Sequence, residues 1–144
     1  MIQFLVQGNR KFLRGLMKVH EYQAKTILKK HGVNVPVGHV VEHKADIGRI
    51  YDELKAPIVA VKSQIHAGGR GKGTLYDGEN PATAKKVQDG GVKVAKSRDE
   101  AIQFGSNMLG NYLLTIQTGG TAKKVLKIYL EKGTDIAREL YLSI

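Results

Sequence analysis

The chain has 144 residues, a formal net charge of +10 and no cysteine, which excludes disulfides, thiol nucleophiles and thiolate metal sites. Its length predicts a single domain, and no apolar run approaches the roughly 20 residues that span a bilayer. The positive charge is typical of proteins that bind nucleic acids or phosphates, or of a piece of a larger protein that balances it elsewhere. Because the basic residues are not interleaved with aromatic ones, we favour the last interpretation, with a basic nucleic-acid-binding module as the alternative.

The first sixteen residues are basic and contain no acidic residue. They are partly amphipathic, as mitochondrial targeting segments are, but they contain neither serine nor threonine. We therefore divide the chain into an N-terminal extension over 1–16, for which we expect disorder, and a domain over 17–144. For the extension we favour the interpretation that the start was assigned too early and that Met17 is the true first residue. The alternative is a targeting segment.

Apolar spacing predicts two helices and a buried strand in the first half of the domain. Residues at helical intervals predict helices over 19–31 and 44–54. The segment 33–41 between them predicts a loop that leads into a short strand. The uninterrupted apolar run 58–61 follows Pro57 and precedes a glycine-rich loop, so it predicts a buried strand.

The second half predicts one helix among several strands. Residues 74–90 are polar and rich in turn signals, which predicts an exposed excursion with one helical turn at 82–88. Ser97 and Glu100 form the capping box of a helix that ends near Gly110. Further strands are predicted over 91–96, 113–118, 125–131 and 139–144. The last two alternate apolar and polar residues, which predicts antiparallel strands with one buried face and one face open to a ligand.

The glycine-rich loop over 68–73 and the lysine before it are the first candidate site. Glycine lets backbone N–H groups approach an anion, and Arg70 and Lys72 add positive charge. The spacing matches neither the Walker A loop nor the G-x-G-x-x-G loop. Lys62 ends the predicted strand and completes a two-sided phosphate clamp with the loop. A flexible basic loop and a strand-end lysine with a solvated ammonium remain the alternatives.

Two glutamates form the second candidate site. Glu131 and Glu139 lie on the polar faces of two predicted strands, on either side of the turn at 132–138. Carboxylates in such places can accept hydrogen bonds from ribose hydroxyls, although solvated glutamates are commoner. The five histidines show no spacing with acidic residues that is typical of a metal site.

Three sequence blocks together resemble one known family. The blocks are VHEYQAK at 19–25, VKSQIHAGGRGK at 61–72 and EKGTDIARELYL at 131–142. They occur in the same order in the β subunit of succinyl-CoA synthetase (succinate–CoA ligase), and the resemblance covers 17–144. It implies an α/β fold of the α+β type, the N-terminal part of an ATP-grasp domain. We expect that part to be truncated, because the chain stops inside a predicted strand.

The resemblance also implies roles for named residues. Lys62 would contact the phosphates of ATP or ADP, and Gly69, Arg70 and Gly71 would cover them. Pro36 stands at a position that favours an ATP-using, ADP-forming enzyme over a GTP-using one.

Three more residues are implied by the same match. Glu131 would lie at the hinge beside the adenine with Thr134 close by, and Glu139 would bind the ribose. The Mg²⁺ ligands and the substrate-binding lobe would follow Ile144, so we expect no metal ligand within this chain and no activity of the chain by itself.

The reaction that the family catalyses runs through a partner chain. ATP phosphorylates a histidine of the α subunit, succinate receives the phosphoryl group, and CoA displaces phosphate to give succinyl-CoA in the tricarboxylic acid cycle. No catalytic residue is therefore expected here, and CoA and succinate would bind mainly through the full complex. The resemblance implies the bacterial cytoplasm, or the mitochondrial matrix if 1–16 is a targeting segment. A related ligase for another acid, such as malate, is the close alternative.

Overall fold

The computed structural model of the protein describes residues 18–138, which fold into three α-helices and eight strands. The helices are α1 (Glu21–Lys30), α2 (Ile47–Leu54) and α3 (Arg98–Met108). The strands are β1 (Gly38–Val41), β2 (Val59–Ser63), β3 (Thr74–Tyr76), β4 (Lys86–Asp89), β5 (Val92–Ala95), β6 (Tyr112–Leu114), β7 (Lys123–Lys124) and β8 (Ile128–Lys132). Short 3₁₀ helices cover Lys44–Asp46, Arg70–Lys72 and Ile116–Thr118. This is the α+β fold that the sequence predicted.

The strands form two antiparallel sheets of four strands each. The first sheet has the order β1-β8-β2-β5, and the second has the order β4-β3-β6-β7. In the first sheet, Lys62 on β2 is paired with Tyr129 on β8, and Ala60 is paired with Glu131. Because paired residues and residues two apart share a face, Lys62 and Glu131 project from the same side of this sheet.

The opposite face of the first sheet carries the hydrophobic core. Val59, Val61 and Leu130 are fully buried there, beneath α2 and α3. The helices approach closely because α3 has a glycine at the contact. A Cβ atom at Gly105 would lie 2.8 Å from the Cδ1 atoms of both Ile47 and Ile128.

The predictions that rest on strong local sequence patterns were confirmed. The helix predicted over 19–31 is α1, and the strand predicted at 58–61 is β2. The helix predicted over 44–54 is a 3₁₀ turn followed by α2. The predicted N-cap of α3 is also present, since the Ser97 side chain accepts a hydrogen bond of 3.2 Å from the Glu100 N–H.

The prediction for 74–90 was wrong. The ends of this segment pair as β3 and β4, and Leu75 is fully buried in the second sheet. The one turn of helical hydrogen bonds lies at 80–84, before β4, rather than at 82–88. A strand of three residues with one apolar side chain gives too short a pattern to distinguish it from a loop.

Other boundaries differ in smaller ways. The strand predicted over 113–118 ends at Leu114 and is followed by a 3₁₀ turn. In the strand predicted over 91–96, Val94 is 54% exposed, because β5 is an edge strand and Val94 lies on the outer face of its sheet. The extension 1–16, the strand at 139–144 and Glu139 lie outside the described residues, so the division into an extension and a domain remains a prediction.

Within the described part of the chain, no helix has the length and apolar character to cross a membrane.

Candidate functional site

Helix α1 covers the polar face of the first sheet and brings two charged side chains to it. The helix begins after His20, whose N–H donates a 2.8 Å hydrogen bond to the Gln23 side chain. Glu21 and Lys25 lie one turn apart on the helix, with Glu21 Oε1 3.1 Å from Lys25 Nζ. Since residues four apart share a helix face, both side chains reach toward the sheet together.

Five charged side chains meet between α1, β2, β8 and the glycine-rich loop, and we call them the charge cluster. They are Glu21, Lys25, Lys62, Arg70 and Glu131. Lys62 Nζ donates to Glu131 Oε2 at 2.5 Å and to Glu21 Oε1 at 3.0 Å. Lys25 also donates to Glu131, so each carboxylate accepts from more than one cation.

Arg70 connects the glycine-rich loop to this cluster. Its Nη2 donates to Glu21 Oε2 at 2.8 Å, and its Nη1 donates to the carbonyl oxygen of Ser63 at 2.6 Å. The guanidinium therefore links the end of β2 to α1. The loop itself is fixed by Gly68, whose N–H donates to Gln117 Oε1 at 2.7 Å.

Burial and ion pairing set the ionisation of the cluster. Burial by itself would raise the pKa of Glu21, but the charges of Lys62 and Arg70 lower it to about 2. Burial would likewise lower the pKa of Lys62, but its hydrogen bond to Glu131 and the charge of Glu21 raise it above its ordinary value. Both groups are therefore ionised at neutral pH.

The charge cluster has an excess of one positive charge, since three cations face two carboxylates. It opens into a cavity of about 770 Å³. Lys62, Arg70 and the backbone of Gly69 and Gly71 line this cavity, together with Glu21. A volume of several hundred Å³ is typical of a ligand site, and a donor-rich wall with excess positive charge suits an anion.

Gly69 and Gly73 give the loop its shape. Gly69 has φ +72° in the left-handed region and starts the 3₁₀ turn Arg70–Lys72. A Cβ atom at Gly73 would lie 2.6 Å from the carbonyl oxygen of Leu114, so the loop backbone packs directly against β6. The loop is therefore a fixed turn, and the alternative of a flexible basic loop is not favoured.

Comparison with known proteins identifies the family. The model of the ATP-grasp domain matches residues 18–144. The chain belongs to the ATP-grasp family. Among curated relatives, it is 52% identical over 130 residues to the succinate–CoA ligase [ADP-forming] subunit beta of Leptospira biflexa. The same subunit is 48% identical over 128 residues in Sinorhizobium medicae and 46% identical over 127 residues in Afipia carboxidovorans.

These matches cover most of this ATP-grasp chain but a small share of each relative. They extend over 89%, 89% and 88% of the chain and over 29%, 31% and 30% of the Leptospira, Sinorhizobium and Afipia subunits. The chain thus spans about three tenths of the length of the curated relatives it matches.

Pro36 lies at a second, smaller cavity of the ATP-grasp chain. That cavity has a volume of about 370 Å³ and is also lined by Tyr22, Lys29 and Tyr129. Lys25 lines both cavities, so the two are neighbours on either side of its side chain. Burial and the charge of Glu131 raise the pKa of Tyr129 to about 12, which keeps its phenol protonated at neutral pH.

The predicted site residues are only partly brought together. Lys62, Gly69, Arg70 and Gly71 share the larger cavity, while Glu131 is 5% exposed in the ion pairs beside it. Thr134, which was predicted to lie close to the adenine, is exposed and lines neither of the two cavities. Among residues 18–138, no three His, Cys, Asp or Glu side chains form a group that could hold a metal ion. Mg²⁺ ligands after Ile144 therefore stay a prediction.

Sequence reasoning missed three residues of this site. Glu21, Lys25 and His20 were recognised only as letters of the first sequence block. The spacing of Glu21 and Lys25 indicated a shared helix face, but nothing local indicated that the face covers the first sheet. Their partners Lys62 and Glu131 are 41 and 106 residues away.

Proposed function

We propose that this chain is the N-terminal part of the nucleotide-binding β subunit of a succinate–CoA ligase. The complete enzyme would convert succinate, CoA and ATP to succinyl-CoA, ADP and phosphate, as a step of the tricarboxylic acid cycle. The main support for the proposal is that Lys62, Arg70 and the turn at Gly69 and Gly71 line the same cavity. The printed names of the relatives support this choice among ATP-grasp functions.

The free donors of the site support phosphate binding. An ammonium has three donors, and Lys62 uses two of them on Glu21 and Glu131, which leaves one for a ligand. A guanidinium has five donors, and Arg70 uses two of them on Glu21 and Ser63 within the described residues. These cations can neutralise a triphosphate, and phosphoryl transfer depends mainly on such positioning and charge stabilisation.

The remaining site residues belong to the same proposal. Glu131 would stand beside the adenine with Thr134 close by, and Glu139 would bind the ribose. Pro36 would favour ATP over GTP, which agrees with the ADP-forming relatives. Glu131 is ion-paired with Lys25 and Lys62. To contact the adenine as well, its carboxylate would have to share its oxygens between these lysines and the ligand.

The partner of this chain would be an α subunit, in a heterodimer or heterotetramer. The histidine that carries the phosphoryl group would belong to that subunit, together with most of the CoA site. Mg²⁺ would neutralise further phosphate charge, on ligands that follow Ile144. We propose the bacterial cytoplasm as the location, since the curated relatives are bacterial.

The test is a coupled assay of the complete β subunit with its α partner. Lys62→Ala should lower phosphorylation of the partner's histidine by ATP by at least about tenfold, since a hydrogen-bonded charge contributes roughly 1.5–3 kcal/mol. Lys96→Ala is the matched control, because Lys96 is exposed and lines neither cavity. Equal rates for both variants would contradict the proposal. Replacing succinate by malate distinguishes the related acid–CoA ligase, and the 144-residue chain alone should show no turnover.

A further inference from the structure

Two histidines stack in the wall of the larger cavity. The ring centroids of His20 and His66 are 3.9 Å apart, and the ring planes differ by 19°. His20 precedes α1, and His66 lies in the turn after β2, so the pair joins the two segments that also carry Glu21 and Arg70. Both rings line the cavity of the charge cluster.

The His20 ring has an unused polar atom. Its Nδ1 is buried and has no hydrogen-bond partner among the described residues. A buried imidazole nitrogen without a partner is costly, and a proton on it would add a charge that only a nearby anion can offset. The site therefore has a titratable group that the charge cluster does not use.

The groups around His20 oppose its protonation in the unliganded protein. Burial, His66, Lys127 and Arg70 all lower the pKa of His20. Glu21 is the nearest acid in sequence, but Lys62 and Arg70 already hold its carboxylate. On α1 itself, the ring centroid of Tyr22 lies 5.9 Å from that of His20. Lys127, which lies just before β8, is paired with Glu42.

We propose that an inorganic polyphosphate group bound in this cavity, such as the phosphate chain of a nucleotide, brings one proton to His20. The anion would offset the positive charge of Arg70, which lines the cavity and now opposes an imidazolium. Anion binding would therefore be coupled to the uptake of one proton. This inference rests on the proposed function only in placing the phosphates in this cavity.

The test compares anion binding by three forms of the 144-residue chain with inorganic tripolyphosphate as the probe. The forms are the unchanged chain, His20→Asn and the control His31→Asn, whose exposed ring lines neither cavity. Affinity is measured at about pH 6 and about pH 8. Lowering the pH should increase the affinity of the unchanged chain and of the control, and this increase should be about five- to tenfold larger than that of His20→Asn. The size follows because one pKa unit corresponds to a tenfold change. The titration of the probe is common to all forms and cancels.

A second measurement needs no variant. The NMR signals of the His20 ring should titrate at higher pH with saturating tripolyphosphate than without it. Equal pH dependence in all three forms, or an unchanged His20 titration, would overturn the inference even though the anion binds. Failure of tripolyphosphate to bind would also overturn it. The coupled assay of Lys62→Ala tests the proposed function separately.

Discussion

Glu131 shows how a side chain can be placed correctly on a strand and still have unexpected surroundings. Its strand alternation predicted a polar face open to a ligand, and Glu131 does lie on that face. The face is covered by α1, however, so the carboxylate is 5% exposed between Lys25 and Lys62. A buried carboxylate that pairs with two ammonium groups fixes the positions of those groups. Glu131 therefore has a structural role in addition to any role it has toward a ligand.

The ionisation of Glu21 predicts a loss of stability in acid. Its pKa is about 2 in the folded chain against an ordinary value of 4.5. The stabilisation is therefore fully present above about pH 4.5 and is lost as the pH falls toward 2, with at most about 3 kcal/mol at stake. Urea denaturation of the unchanged chain and of Glu21→Gln should show a stability difference at pH 7 that shrinks below pH 4.5.

The matched control is Glu53→Gln, which removes an exposed partner of Arg49. Exposed ion pairs contribute roughly 0–1 kcal/mol, so this variant should differ little from the unchanged chain at any pH. A stability difference for Glu21→Gln that stays constant from pH 7 to pH 3 would contradict the ion-pairing explanation.

At the scale of elements, predictions succeeded where the signal is local. The Ser97 cap and the helical apolar spacing that follows it are contained within a few residues, and α3 was predicted from them. Strand β3 was not, because Thr74–Tyr76 is defined by its pairing with β4 and β6 rather than by its own pattern. Short strands of this kind depend on neighbours that a single window of sequence does not contain.

Two glycines of the same loop should respond differently to the same substitution. At Gly73 an added Cβ would lie 2.6 Å from the Leu114 carbonyl oxygen, which belongs to the backbone of β6 and cannot move freely. At Gly71 no atom lies within 4 Å of an added Cβ. We expect Gly73→Ala to lower the free energy of unfolding by about 1–3 kcal/mol and Gly71→Ala to change it by less than about 0.5 kcal/mol. Thermal and urea denaturation measure both, and equal stabilities would disprove the close contact.

At the scale of the whole molecule, the site was predictable only in part. Lys62 and the glycine-rich loop are close in sequence, so their common cavity could be predicted from a strand followed by a turn. The contacts of Glu131 with Lys62 and Lys25 join residues 69 and 106 positions apart. Such contacts depend on α1 crossing one face of the sheet while α2 and α3 cover the other, which is a property of the complete packing.

The net charge of +10 requires that specific anion binding be separated from general attraction. A ligand that binds only the folded chain stabilises it by about 2.7 kcal/mol at a concentration of 100 Kd. Saturating tripolyphosphate should therefore raise the melting temperature of the 144-residue chain by several degrees. Lys62→Ala should lose most of that rise because it removes a cation from the cavity wall, whereas Lys96→Ala should keep it.

Sulfate at matched ionic strength measures the non-specific part, since screening acts on every exposed lysine alike. If the charge cluster holds the anion, the difference between tripolyphosphate and sulfate disappears in Lys62→Ala and persists in Lys96→Ala. Equal losses in both variants would mean that the excess positive charge attracts polyanions over the whole surface. That result would favour the basic nucleic-acid-binding module, because a phosphate backbone is recognised in just that sequence-independent way.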